Sequence, residues 1–160
     1  MPHESVAATL RFPELDVRDL QGRDLRTPTC FTGERNVVVI AFDRHHQALV
    51  DTWVPWLESR AREDPGLRFY ELPAIARRWA PARRLIDGGM AAAIRVPEVL
   101  ERTLTYYGPL RALCGPLRIA DRATITVVVV AAGGEVLGAW EGPHTDTGER
   151  TLAALVAAAP

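Results

Sequence analysis

Lysine is absent from this chain: all 19 basic residues are arginine, which removes any mechanism built on a lysine Schiff base. Cysteine is scarce. Cys30 and Cys114 stand far apart, forming neither a Cys-x-x-Cys pair nor a metal-ligand spacing, and both are expected to serve as small hydrophobes. No apolar run approaches the ~20 residues that cross a bilayer. The first ten residues lack the basic and long apolar regions of a secretory signal, so a reducing, cytoplasmic setting is expected. A formal net charge of -1 offers no long-range attraction to nucleic acid or an anionic membrane. Phosphate loop, nucleophile elbow and zinc motif are all missing, and neither cofactor nor metal is expected.

What is present is ordinary globular material, 48% apolar and 24% charged. Residues 1–11 read as a flexible leader, and residues 12–160 as one domain large enough to bury ~70% of its unfolded surface. The organising stretch starts with Val37-Val38-Val39-Ile40, extended by Ala41 and Phe42, a run apolar on both faces that predicts a central covered strand. After Asp43-Arg44-His45-His46 the period changes. Leu49, Val50, Trp53, Trp56 and Leu57 fall at helical spacing, with Pro55 inside the helix at the cost of one hydrogen bond.

Around this corner, residues 12–25 predict a short hairpin or an extended edge segment with its turn at Gln21-Gly22-Arg23, and residues 67–72 a second strand. Residues 73–80 and a segment opened by Pro81 predict short helices. Residues 103–107 predict a third strand, and residues 110–114 a helix ended by Gly115-Pro116. Residues 124–130 form another buried β-branched run. It turns at Gly133-Gly134 into residues 135–140, and residues 146–158 form a last helix capped by Thr145 or Asp146. A parallel βαβ half, an antiparallel hairpin and a closing helix make an α/β, thioredoxin-like layout. It has a central mixed sheet, helices on both faces and an N-terminal β-hairpin extension.

Two segments carry the likeness further. In thioredoxins the first active-site cysteine lies five residues beyond a strand-ending Phe, and the helical Pro five beyond the second. Phe42 and Pro55 then place Gln47 and Val50 where the two thiols would stand. Ile125 stands where that family has its cis-proline, and is expected to be trans. Phe12-Pro13-Glu14-Leu15, Asp51-Thr52-Trp53-Val54-Pro55-Trp56-Leu57, Ile86-Asp87-Gly88-Gly89-Met90 and Arg102-Thr103-Leu104-Thr105-Tyr106-Tyr107 carry a closer likeness. Over residues 12–157 the chain resembles the redox-silent thioredoxin-like proteins that include the mitochondrial ATP-synthase assembly factor and its prokaryotic cousins. The resemblance implies a scaffold used for binding or assembly, with a protein partner or client, rather than turnover.

The binding candidates are Asp43, Arg44, His45, His46, Gln47 and Asp51 at the corner, with Asp87 and Met90 in the Gly-Gly segment. A helix N-terminus there favours anions. An alternative is an Asp-oriented histidine base at His45 or His46. Arg77, Arg78, Arg83 and Arg84 form a candidate site for anions or an acidic partner. A further alternative is a divergent thiol–disulfide oxidoreductase or peroxidase-like enzyme using Cys30 or Cys114 alone.

Overall fold

The computed structural model describes residues 9–75 and 97–157. The expected hairpin forms from β1 (Leu15–Asp19) and β2 (Asp24–Thr27), and Gly22 takes a φ of +86° in its turn, a conformation glycine adopts without strain. Asp19 is fully buried and holds this turn together. Its Oδ1 accepts the N–H groups of Gln21 and Arg23, and its Oδ2 accepts Arg23 Nε at 2.7 Å.

β3 (Arg35–Ala41) leads through a 3-10 turn, Arg44–His46, into α1 (Gln47–Glu63), and β4 (Leu67–Pro73) follows. Next come α2 (Pro97–Arg102), β5 (Leu104–Thr105), α3 (Leu110–Leu117), β6 (Thr126–Ala131), β7 (Val136–Glu141) and α4 (Asp146–Ala157). The main sheet runs β4-β3-β6-β7, with β3 and β4 parallel and the remaining pairs antiparallel. A smaller sheet, β2-β1-β5, joins it through parallel bridges from Glu71 to Thr103 and from Ala74 to Tyr106. Leu10 and Phe12 bond to Val136 and Gly134, so pairing with the β7 hairpin begins at Leu10.

Both faces of β3 are buried because successive residues feed different cores. Val37 and Val39 pack with Val50, Trp53 and Leu57 of α1 and with Leu152 and Val156 of α4. Val38 and Ile40 pack with Leu113 and Leu117 of α3 and with Phe12, Leu15 and Val17. Each such side chain gains ~1.5–3 kcal/mol from leaving water. Helices therefore cover both faces, and the mixed-sheet, thioredoxin-like expectation holds.

Several local expectations change. The helix expected over residues 73–80 does not begin there: Pro73 ends β4, and Ala74 bridges Tyr106. Pairing along the sheet edge satisfies more backbone than an isolated first turn would. The third strand contracts to Leu104–Thr105. The helix expected over residues 110–114 continues through Gly115 and Pro116 to Leu117. Arg118 at φ +55° ends it, with the Ile119 N–H bonded to the Cys114 carbonyl. That closure buries Leu117 and Ile119, which offsets the bond Pro116 cannot donate. Thr145 is the α4 cap, its hydroxyl accepting the Gly148 N–H. Trp56 is half-buried against the α1 core rather than enclosed by it. The peptide before Ile125 is trans; among the described residues the cis bond precedes Pro28.

Candidate functional site

The corner forms because Asp43 stops β3 and starts the helical turn at once. Its backbone is extended, and its carboxylate Oδ1 accepts the His45 N–H at 2.8 Å. That bond holds the Asp43 carboxyl below the usual carboxylate range against its partial desolvation, aided by the nearby His45, His46 and Arg44. The His45 N–H that opens the 3-10 turn is thus taken by the chain's own carboxylate, whereas α1, which starts after His46, has no side-chain cap.

The two histidines separate sharply. His45 is exposed, whereas His46 is buried. His46 Nδ1 accepts the Phe42 N–H at 3.0 Å, which leaves Nε2 to carry the proton and donate to the Ala123 carbonyl at 3.2 Å. Both ring nitrogens are therefore spent on ties between the end of β3 and the loop before β6. His46 is a latch, not a free base or ligand. Asp51 does not orient either imidazole; it accepts Gln47 Nε2 at 2.9 Å along the exposed face of α1. Arg44 is exposed beside them.

Phe42, Asp43, His45, His46 and Leu49 line a cavity of about 600 Å³ together with Leu110, Arg122 and Ala123. The sequence reading missed the last three. Leu110 opens α3 and Arg122 lies in the loop before β6, so no linear motif joins them to the corner. The one available signal was the placement of Ile125, whose preceding loop faces the corner in this layout. Asp87, Met90, Arg77, Arg78, Arg83 and Arg84 lie outside the described residues.

The thiols are elsewhere. Both are free, with Cys114 on the buried side of α3 in the core cluster and Cys30 packed against that cluster. Burial pushes Cys30 up to about 11, and burial likewise raises Cys114 despite the nearby Arg122. A carboxylate–histidine pair does exist away from the corner, where His144 Nε2 lies 2.7 Å from Glu149 Oε2 and its ring stands edge-on to Trp53.

Behind the corner, Glu71 of β4 is half-buried near α1 and α2. Burial raises its pKa, opposed by Arg102 and reinforced by Asp51 and Glu58. Arg102 itself bonds Glu58 at 3.2 Å and lies over the Phe69 ring. As pH rises, the unfolded chain loses the Glu71 proton before the folded chain does, so this group's share of stability falls across that interval. Glu71→Gln is expected to gain stability relative to the parent on going from about pH 4 to about pH 7, read by urea denaturation at both.

Neither a scan against protein-family models nor a search of curated proteins returns a match. Solved structures do match. BsSco, a member of the Sco family of cytochrome c oxidase assembly proteins, superposes with a TM-score of 0.61 at 10% identity, covering 93% of each chain. Yeast Sco1 with copper bound gives 0.59 at 15% identity over 96% of this chain and 97% of its own. A thiol:disulfide interchange protein of the thioredoxin family from Chlorobium tepidum gives 0.53 at 16% identity over 94% and 99%. With the β4-β3-β6-β7 sheet and its two helical faces, these matches show that the chain has the thioredoxin-like α/β fold.

Proposed function

We propose that this chain is a non-redox binding or assembly module whose contact surface is the Asp43–Asp51 corner and the cavity beside it. The observation that carries this reading is the makeup of the corner. Gln47 and Val50 occupy the positions expected for thiols, and neither cysteine lines the cavity. A disulfide-exchange site needs an accessible thiolate of lowered pKa, and both thiols here are raised. The likeness to the ATP-synthase assembly group, and the assembly role of the family that includes BsSco, support an assembly function for a protein client.

Copper, which the yeast neighbour binds, does not fit the donors present. Among the described residues no three His, Cys, Asp or Glu side chains gather at one point. His46 has no ring nitrogen left to give.

A second reading, a single-thiol enzyme, rests on Cys114. It lies one helical turn from the cavity-lining Leu110, within electrostatic reach of Arg122. The test is insulin reduction with dithiothreitol by the purified chain beside Cys30→Ser and Cys114→Ser. Background turnover in all three forms is expected. Turnover that disappears with Cys114→Ser would replace the binding module with the enzyme.

A further inference from the structure

The corner cavity has a chemical polarity that names its occupant. Its apolar lining is Phe42, Leu49 and Leu110, all half-buried. Asp43 lines the cavity too, already bonded to the His45 N–H. Arg122 also lines it, an exposed residue with no hydrogen bond or ion pair among the described residues. Asp43 and Arg122 likewise form no ion pair with each other, although both line the same space. A guanidinium left unpaired beside an apolar lining matches a carboxylate carried next to a bulky hydrophobic group.

The cavity's shape selects the kind of molecule. Asp43, His45, Arg122 and Ala123 all face solvent, so an occupant would be enclosed on one side only. Small-molecule sites cover most of their ligand; a cleft open along its rim suits a side chain from a strand of polypeptide that runs on past it.

We propose that the cavity docks an acidic–apolar segment of a partner protein, with an apolar side chain on Phe42, Leu49 and Leu110 and an adjacent carboxylate on Arg122. This deepens the binding reading above and rests on it. Asp43 sets the orientation, since a second carboxylate beside it would be repelled.

The test uses the full chain, labelled with nitrogen-15, and blocked peptides followed by amide shifts. The probes are acetyl-Leu-Phe-Asp-Leu-amide and its Asp-to-Asn and Asp-to-Lys counterparts, with 4-phenylbutyrate as a small free carboxylate. The Asp peptide is expected to bind at least about tenfold more tightly than the Asn peptide, shifting Phe42, Leu49, Leu110 and Ala123. Arg122→Gln, an exposed substitution, should remove that preference while leaving the dispersed spectrum intact.

Equal binding of the Asp and Asn peptides, a preference for the Lys peptide, or no binding by any peptide would overturn the proposal. So would an unchanged preference in Arg122→Gln. Binding of 4-phenylbutyrate as tight as the Asp peptide would reassign the cavity to a small molecule and also overturn it. If the peptides fail while insulin reduction stays at background, the non-redox module stands with a partner of different chemistry. If insulin is reduced, the module itself falls.

Discussion

Replacing Trp53 with alanine is expected to cost about 3–5 kcal/mol of folding stability, the largest effect of any single substitution proposed for this chain. The indole is fully buried in the core between the main sheet and α1. Its Nε1 donates to the Gly142 carbonyl at 3.0 Å, and the His144 ring stands edge-on to it with centroids 5.0 Å apart. Removing the ring leaves a cavity and strips a buried carbonyl of its partner, two costs that add. It also removes one tie between α1 and the loop between β7 and α4, leaving the neighbouring His144 N–H to Thr52 hydroxyl bond in place. Trp53→Phe separates the contributions. It keeps most of the packing and loses the N–H bond, so a cost of about 1–2 kcal/mol is expected. Urea denaturation with linear extrapolation reads both variants. A Trp53→Ala cost below that expected for Trp53→Phe would mean that the helix is not anchored by this side chain.

The second large effect concerns the thiols. With Cys30 held at about 11, its thiolate fraction at about pH 8 is roughly two orders of magnitude below that of free cysteine. Cys114 shifts in the same direction, for the same first reason, burial. Alkylation of Cys30 by iodoacetamide under native conditions should therefore run at least about a hundredfold slower than for free cysteine, and Cys114 should also react more slowly than free cysteine. Full reactivity should return in denaturant. The Cys30 shift has a stability counterpart. As pH rises past the ordinary thiol range, the unfolded chain ionises while the folded chain keeps its proton. Stability contributed by this group is thus present at neutral pH and is lost as pH climbs toward about 11. A rapidly alkylated Cys114 beside a slow Cys30 would point to the single-thiol enzyme.

Much of the scaffold was legible in the residue pattern. Continuous β-branched runs marked β3 and β6, because a strand covered on both faces has no polar side to show. The 3.6-residue stripe of Val50, Trp53 and Leu57 marked the buried face of α1. Gly22 and Gly133-Gly134 marked the two hairpins, since their turns need backbone conformations that few other residues adopt. What stayed hidden depends on partners distant in sequence. Residues 73–75 read as helical because nothing local announces that Ala74 will bridge Tyr106. Pro116 read as a helix stop, although the Leu117 and Ile119 contacts and the Arg118 cap carry the helix past it.

The site divides in the same way. Local order alone determined that the corner would join a central strand to a helix, that Asp43 was available to cap it, and that no thiol would stand at Gln47 or Val50. Tertiary structure alone decided which histidine is free. His45 and His46 are chemically identical neighbours; the Phe42 N–H and the Ala123 carbonyl, the latter brought in by the loop before β6, make one a latch, and the other is left in solvent. It also brought Leu110 and Arg122 to the same cavity as Phe42 and Leu49. A cavity is made by side chains that converge in space from separate elements, and that convergence has no signature in linear spacing.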